Sequence, residues 1–136
     1  MAAETARNEW GEVFHNAREA ILELRWRAST ADMSDDDFKA TLELFADEAE
    51  RLRVPALLID ATEFRHRPGP DVMEWRDREI IPRYNAAGAM RFAFHVPEGF
   101  PGTVEAGGEP VVSAPAEFPT AWSTDREHAV DWLGET

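Results

Sequence analysis

Apolar and polar residues alternate in blocks that divide the chain into short strands and three helices. Residues 10–15 and 20–28 predict a hairpin that turns at Asn16-Ala17-Arg18-Glu19. In its second strand Leu22, Leu24 and Trp26 alternate with Glu23, Arg25 and Arg27, the pattern of a strand with one buried face and one wet face. Residues 1–9 show no comparable pattern and read as a flexible tail. The rest, residues 10–136, reads as a single domain.

Ser34 starts the clearest helix. Its side chain suits the backbone N–H of Asp37, and Asp35, Asp36 and Asp37 sit at the positive end of the dipole. Phe38, Leu42, Phe45, Ala49 and Leu52 recur at steps of four and three and predict the buried face. Arg51 and Arg53 fall at the negative end, and Pro55 stops the helix. The aspartate run lacks the glycine and the ligand spacing of a calcium loop, so a helix-starting acidic cap explains it better.

Residues 56–96 carry the most information. ALLID is continuously apolar until Asp60, as suits a central strand covered on both faces. A polar loop follows, then a helix begun by Pro70, interrupted at Pro82 and closed by Gly88, then the apolar strand MRFAFHV. This is a βαβ unit, which is almost always right-handed and gathers ligands at the carboxyl ends of its strands. Residues 97–119 differ in kind. They hold five of the nine prolines and four of the eight glycines, the mark of a long loop that is either functional or disordered. Val111-Val112 suits one short strand and Ala121-Trp122 a last one. Thr124 with Glu127 predicts a capping box for a final helix that ends near Leu133.

The fold class expected from these elements is α/β, with one mixed β-sheet of about four or five strands and about three helices. At 136 residues the chain is large enough for one core without staples. It has no cysteine, which removes disulfides, thiolate metal sites and cysteine nucleophiles together. No basic-then-apolar leader opens the sequence, and no apolar run approaches the length of a membrane span. A cytoplasmic protein without integral membrane association is therefore expected. The net charge of −13 repels nucleic-acid phosphates, so nucleic acid is not an expected partner. The charge is uneven. Residues 54–91 hold six acids and six bases, whereas residues 92–136 hold eight acids and one base. The neutral middle is where an anion could approach.

Candidate chemistry is sparse. Arg65, His66, Arg67 and Gly69 lead into a helix N-terminus, whose free N–H groups favour an anion; a solvated loop balanced by Glu63 and Asp71 is the simpler explanation. The loop lacks the Gly-Lys-Ser/Thr of a nucleotide-hydrolase phosphate loop. Asp60 ends the central strand, either as a site carboxylate or as a cap on loop amides. His15, His66, His95 and His128 show no metal-ligand spacing, so neither a metal nor a cofactor is expected. Of the five tryptophans, Trp75 lies nearest these loops, and core packing explains most of the others.

The ordered set of ALLID ending at Asp60, Trp75, EIIPRYNAAGAMRFAF over residues 79–94 and AWSTDREHAVDWL over 121–133 resembles the SpoIIAA-like family. That family is related to STAS domains and, in shape, to CRAL-TRIO lipid carriers, and the match spans about residues 10–134. The resemblance implies a mixed sheet with helices packed on it and a non-enzymatic regulatory or small-ligand role. One departure matters. Phosphorylated STAS regulators carry a serine at the start of the helix after the central strand, where this chain has Pro68-Gly69-Pro70. No phosphorylation is therefore expected at that position.

The leading expectation is a non-catalytic regulatory or binding module for a protein partner or a small amphipathic or anionic ligand, with a homodimer as a candidate assembly. Its site is expected where Asp60, residues 65–69, Trp75 and a mobile segment 99–113 converge. Two alternatives stand beside it. One is a carrier with an apolar cavity under residues 97–115. The other is an enzyme using Asp60 or His66 as general acid or base, for which no nucleophile–base–orienter set is evident.

Overall fold

The computed structural model describes residues 2–100 and 108–135. They form one six-stranded sheet in which neighbours in space are neighbours in sequence, in the order β1 (Ala2–Arg7), β2 (Gly11–Asn16), β3 (Ile21–Trp26), β4 (Ala56–Asp60), β5 (Arg91–His95) and β6 (Thr120–Ser123). The first three strands run antiparallel, and β3 to β6 run parallel. The mixed α/β class is as expected, but the sheet has six strands rather than four or five. The strand missed is β1, where a flexible tail was expected. Its sequence AAETAR has no apolar alternation, and it is held by backbone pairing to β2 through a bulge between Glu4 and Ala6. Val111, expected in a short strand, makes only an isolated antiparallel bridge to Thr120.

Sequential parallel strands joined by right-handed crossovers put their connecting helices on one face. Helix α1 (Asp35–Leu52) joins β3 to β4. Helices α2 (Pro70–Trp75) and α3 (Ile81–Ala86), fused through a π-helical turn over Arg76–Ile80, join β4 to β5. On that face Leu22, Leu24, Leu57, Ile59 and Phe92 pack with Phe45, Val72, Ile80 and Tyr84 in one core cluster. On the opposite face α4 (Arg126–Leu133) sets Ala129 and Leu133 against Ile21, Ala56, Leu58 and Ala93.

Strand β3 is thus covered on both faces, not on one as its alternation predicts. Glu23 is only 3% exposed. Its carboxylate accepts two hydrogen bonds from the Arg126 guanidinium at 2.6 and 2.5 Å and one from Arg25 Nε at 2.9 Å. A buried carboxylate needs such partners to offset its lost hydration.

The helix ends follow local chemistry. Ser34 Oγ accepts from the Asp37 N–H and Asp37 Oδ2 accepts from the Ser34 N–H, both at 3.1 Å, a reciprocal capping box. Pro82 has no N–H to donate, and the wider π-helical turn precedes it. Gly88 adopts φ of 92° just past α3, a conformation open to glycine. The cap of α4 corrects the sequence reading. Asp125, not Thr124, is the N-cap, and its Oδ1 accepts from the His128 N–H at 3.3 Å.

Arg51 pairs with Glu48 at 2.8 Å, and Arg83 of α3 reaches Asp47 and Glu50 of α1. The Arg51 hydrogen bond holds the Glu48 carboxyl below its ordinary pKa, and the Arg83 hydrogen bond does the same for Glu50. A depressed carboxylate pKa stabilises the fold above the unfolded-state value, and that stability disappears as pH falls through the folded-state value. The melting temperature should therefore drop from about pH 4.5 downward. Glu48→Gln should lower it near neutrality, and the difference should shrink as pH falls below about 4.5. A pH-independent effect of the substitution would show that the pair plays no such part.

Candidate functional site

The first two crossovers between parallel strands carry helices, and the described residues of the third, 96–100 and 108–119, carry none. Residues 108–119, irregular in backbone, lead back to β6 over the α1/α2–α3 face and border a cavity of about 640 Å³. Its floor is the sheet, with Ile59, Phe92, Phe94 and Trp122. Its inner wall is the π-helical turn and α3, with Arg76, Asp77, Ile81 and Tyr84. Its outer wall is the return loop, with Phe100, Val111, Ala116 and Phe118. Phe94 stacks on Trp122 with centroids 5.6 Å apart and planes 10° apart, and Phe92 stacks on Phe118 at 5.9 Å. Phe100 and Val111 are 38% and 37% exposed at the rim.

Among the described residues, three contacts anchor the return loop. Asn85 Nδ2 donates to the Pro115 carbonyl at 2.9 Å, and the Glu117 N–H donates back to Asn85 Oδ1 at 3.0 Å. Val111 and Thr120 exchange backbone hydrogen bonds at 3.0 and 2.8 Å. Such a concave, mostly apolar space with a few polar groups is the usual form of a small-molecule site. Arg76 and Asp77 pair at 3.1 Å on its wall.

A polar row lies on the other face. The pairing register sets Arg25, Asp60, His95 and Ser123 side by side at the carboxyl ends of four parallel strands. Asp60 Oδ1 accepts from the Thr62 N–H at 3.0 Å and the Thr62 hydroxyl at 2.6 Å, so it caps the loop that follows it. His95 Nδ1 lies 3.7 Å from the same oxygen, buried and without a hydrogen-bond partner. Beyond β6 a hollow of about 170 Å³ is lined by Ser123, His128 and Trp132 with Gly108, Glu109 and Pro110. There Ser123 Oγ donates to the Asp125 carbonyl at 2.9 Å, a turn-forming bond. Among the described residues no three His, Asp or Glu side chains are grouped to hold a metal.

The residues singled out in the sequence are divided between these places. Asp60 faces α4, opposite to Ile59 and Ala61, which line the cavity. His66 Nε2 lies 2.7 Å from Asp35 Oδ1, and its ring packs near Phe38 and Phe64. Asp60 and His66, the residues considered for general acid–base work, therefore have separate partners. Arg65 pairs with Glu63 at 3.4 Å, and its N–H donates to Thr30 Oγ1 at 2.8 Å. Arg67 is exposed. Gly69 caps α2, with an Asp35 oxygen 3.7 Å from where its side chain would begin, so a carboxylate already stands at that helix start. Trp75 is half-buried beneath the Lys39 ammonium, 5.5 Å from the ring centroid, and is not on the cavity wall. Phe64 and Pro68, in or beside the same loop, do line the cavity, together with Phe100, Val111 and Ser113. Of the segment 99–113 expected to be mobile, residues 101–107 lie outside the described residues.

Sequence reasoning missed Arg76, Tyr84, Phe94 and Phe118 as cavity residues. The signal that points to them is indirect: a Pro/Gly-rich crossover of more than twenty residues follows a strand rich in aromatics. Compared with protein-family models, with curated proteins and with solved structures, the chain matches none.

Proposed function

We propose that this chain is a non-catalytic binding module that holds a small apolar or amphipathic ligand between the sheet and the return loop. The observation that carries this reading is the aromatic-walled cavity of about 640 Å³, which falls within the ~300–1,000 Å³ usual for ligand sites. The resemblance to the SpoIIAA-like family points the same way, since it implies a regulatory or small-ligand role on a mixed sheet with helices packed against it. In that reading the ligand packs beneath the return loop, and the filled site presents an altered surface to a protein partner. The polar row around Asp60 and His95 then serves to fasten the strand ends and α4, not to perform chemistry.

The test is a titration with N-phenyl-1-naphthylamine, a neutral apolar fluorophore. Saturable one-to-one binding is expected, with blue-shifted emission and energy transfer from Trp26 and Trp122, both on the cavity wall. Emission that stays unshifted through the titration would overturn the proposal.

A further inference from the structure

The cavity wall carries a buried hydroxyl that makes no hydrogen bond among the described residues. Tyr84 is 2% exposed and sits in α3 between Phe45 of α1 and Phe92 of β5, with ring centroids 5.9 and 5.4 Å away. Its hydroxyl makes no hydrogen bond to another described residue, although it is on the cavity wall. It is not sealed off either. Among the described residues the sealed side-chain polar atoms that lack partners are Thr5 Oγ1 and His95 Nδ1. The Tyr84 hydroxyl therefore opens into the cavity. A buried hydroxyl without a partner costs stability, and buried tyrosines normally find one.

The groups around it narrow what that partner is. Burial raises the phenol pKa well above its ordinary value, so the O–H keeps its proton and remains a donor. Arg76, on the same wall, is the charged group that acts most strongly on the phenol. Its Nε and one terminal nitrogen both donate to Asp77 Oδ1, at 3.3 and 3.1 Å, which neutralises its charge and leaves other guanidinium N–H groups free to donate. The polar part of the cavity is thus rich in donors and close to electrically neutral. A carboxylate would enter without a net positive charge to meet it, in a chain of net charge −13. The π-helical turn that begins at Arg76 sets the phase of α3, and such turns recur at functional sites.

Resting on the binding function proposed above, we infer that the ligand is a neutral apolar molecule bearing a carbonyl-type acceptor, and that the Tyr84 hydroxyl is the donor that recognises it. The aromatic floor would hold the apolar body while the acceptor meets Tyr84, with Arg76 beside it.

The experiment uses two probes of nearly the same shape, 2-acetylnaphthalene and 2-ethylnaphthalene, each competed against N-phenyl-1-naphthylamine on the whole chain. The wild type should bind the ketone about 3- to 10-fold more tightly than the hydrocarbon, the range one net hydrogen bond provides. Tyr84→Phe should remove that preference and leave hydrocarbon binding unchanged. The free Tyr84→Phe protein should melt at the same temperature as the wild type or higher, because its lost hydroxyl had no partner. Equal affinities in the wild type, or a ketone preference that survives Tyr84→Phe, would overturn the inference while leaving the cavity function intact. A sharp fall in the melting temperature of Tyr84→Phe would likewise overturn it, by showing that the hydroxyl is bonded within the protein. Failure of both naphthalenes and of the fluorophore to bind would overturn the cavity function itself, and the inference with it.

Discussion

Phe45→Ala is expected to cost about 3–5 kcal/mol, the usual loss when a fully buried aromatic is truncated. Phe45 is 0% exposed at the middle of α1 and meets the Tyr84 ring edge-on at 5.9 Å. It therefore couples the helix after β3 to the helix after β4, and the cavity left by alanine would be bounded by elements that cannot collapse into it. A loss of that size removes a large share of the ~5–15 kcal/mol that holds an ordinary domain. Denaturant unfolding monitored by tryptophan fluorescence checks it. A midpoint within error of the wild type would show that this face of α1 is not the core face. Leu52→Ala provides the contrast: Leu52 is only half-buried at the helix end, so the expected loss is smaller.

Much of this architecture was legible because the relevant signals are local. The Ser34–Asp37 box, the stop at Pro55, the break before Pro82 and the glycine at 88 each depend on a few adjacent residues. The continuous apolar run of β4 announced a strand covered on both faces. Elements decided at long range were not legible. AAETAR becomes a strand only because β2 offers an unpaired edge. Glu23 reads as a solvent-facing residue until Arg126, far along the chain, is folded over it. Thr124 and Asp125 both suit a cap, and the geometry of the turn at Ser123 selects Asp125.

The candidate site was legible only in part: none of Asp60, Arg65, His66, Arg67, Gly69 and Trp75 lines the cavity, whereas Phe100, Val111 and Ser113 of the segment 99–113 do. The rule that ligands gather at strand ends directed attention to Asp60, but side-chain alternation turns Asp60 toward α4 while Ile59 and Ala61 face the cavity. The loop after β4 contributes its apolar members, Phe64 and Pro68, instead of its arginines. What the Pro/Gly-rich crossover did announce is a long loop, and its described residues Phe100, Val111, Ala116 and Phe118 wall the cavity.

Ala116→Trp is expected to weaken ligand binding about 100-fold while preserving or raising stability. Ala116 lies on the return loop, half-buried against the core and on the cavity wall. An indole there would occupy the space proposed for the ligand. Filling a natural cavity commonly adds about 0.5–2 kcal/mol. A ligand ring excluded from burial forfeits roughly 3 kcal/mol. At about 1.4 kcal/mol per decade, that is a loss of roughly 100-fold in affinity. Melting curves and fluorophore titrations on the same preparation check both halves. Undiminished binding in a folded Ala116→Trp protein would place the ligand elsewhere.

The most direct measurement is amide chemical-shift mapping of the isotopically labelled protein as N-phenyl-1-naphthylamine is added. A ligand in the cavity predicts saturating shifts that cluster at Ile59, Ile81, Tyr84, Phe92, Phe94, Val111 and Phe118, with α4 and the exposed side of α1 unmoved. Shifts that instead centre on Ser123, His128 and Trp132, or that never saturate, would contradict a ligand site between the sheet and the return loop.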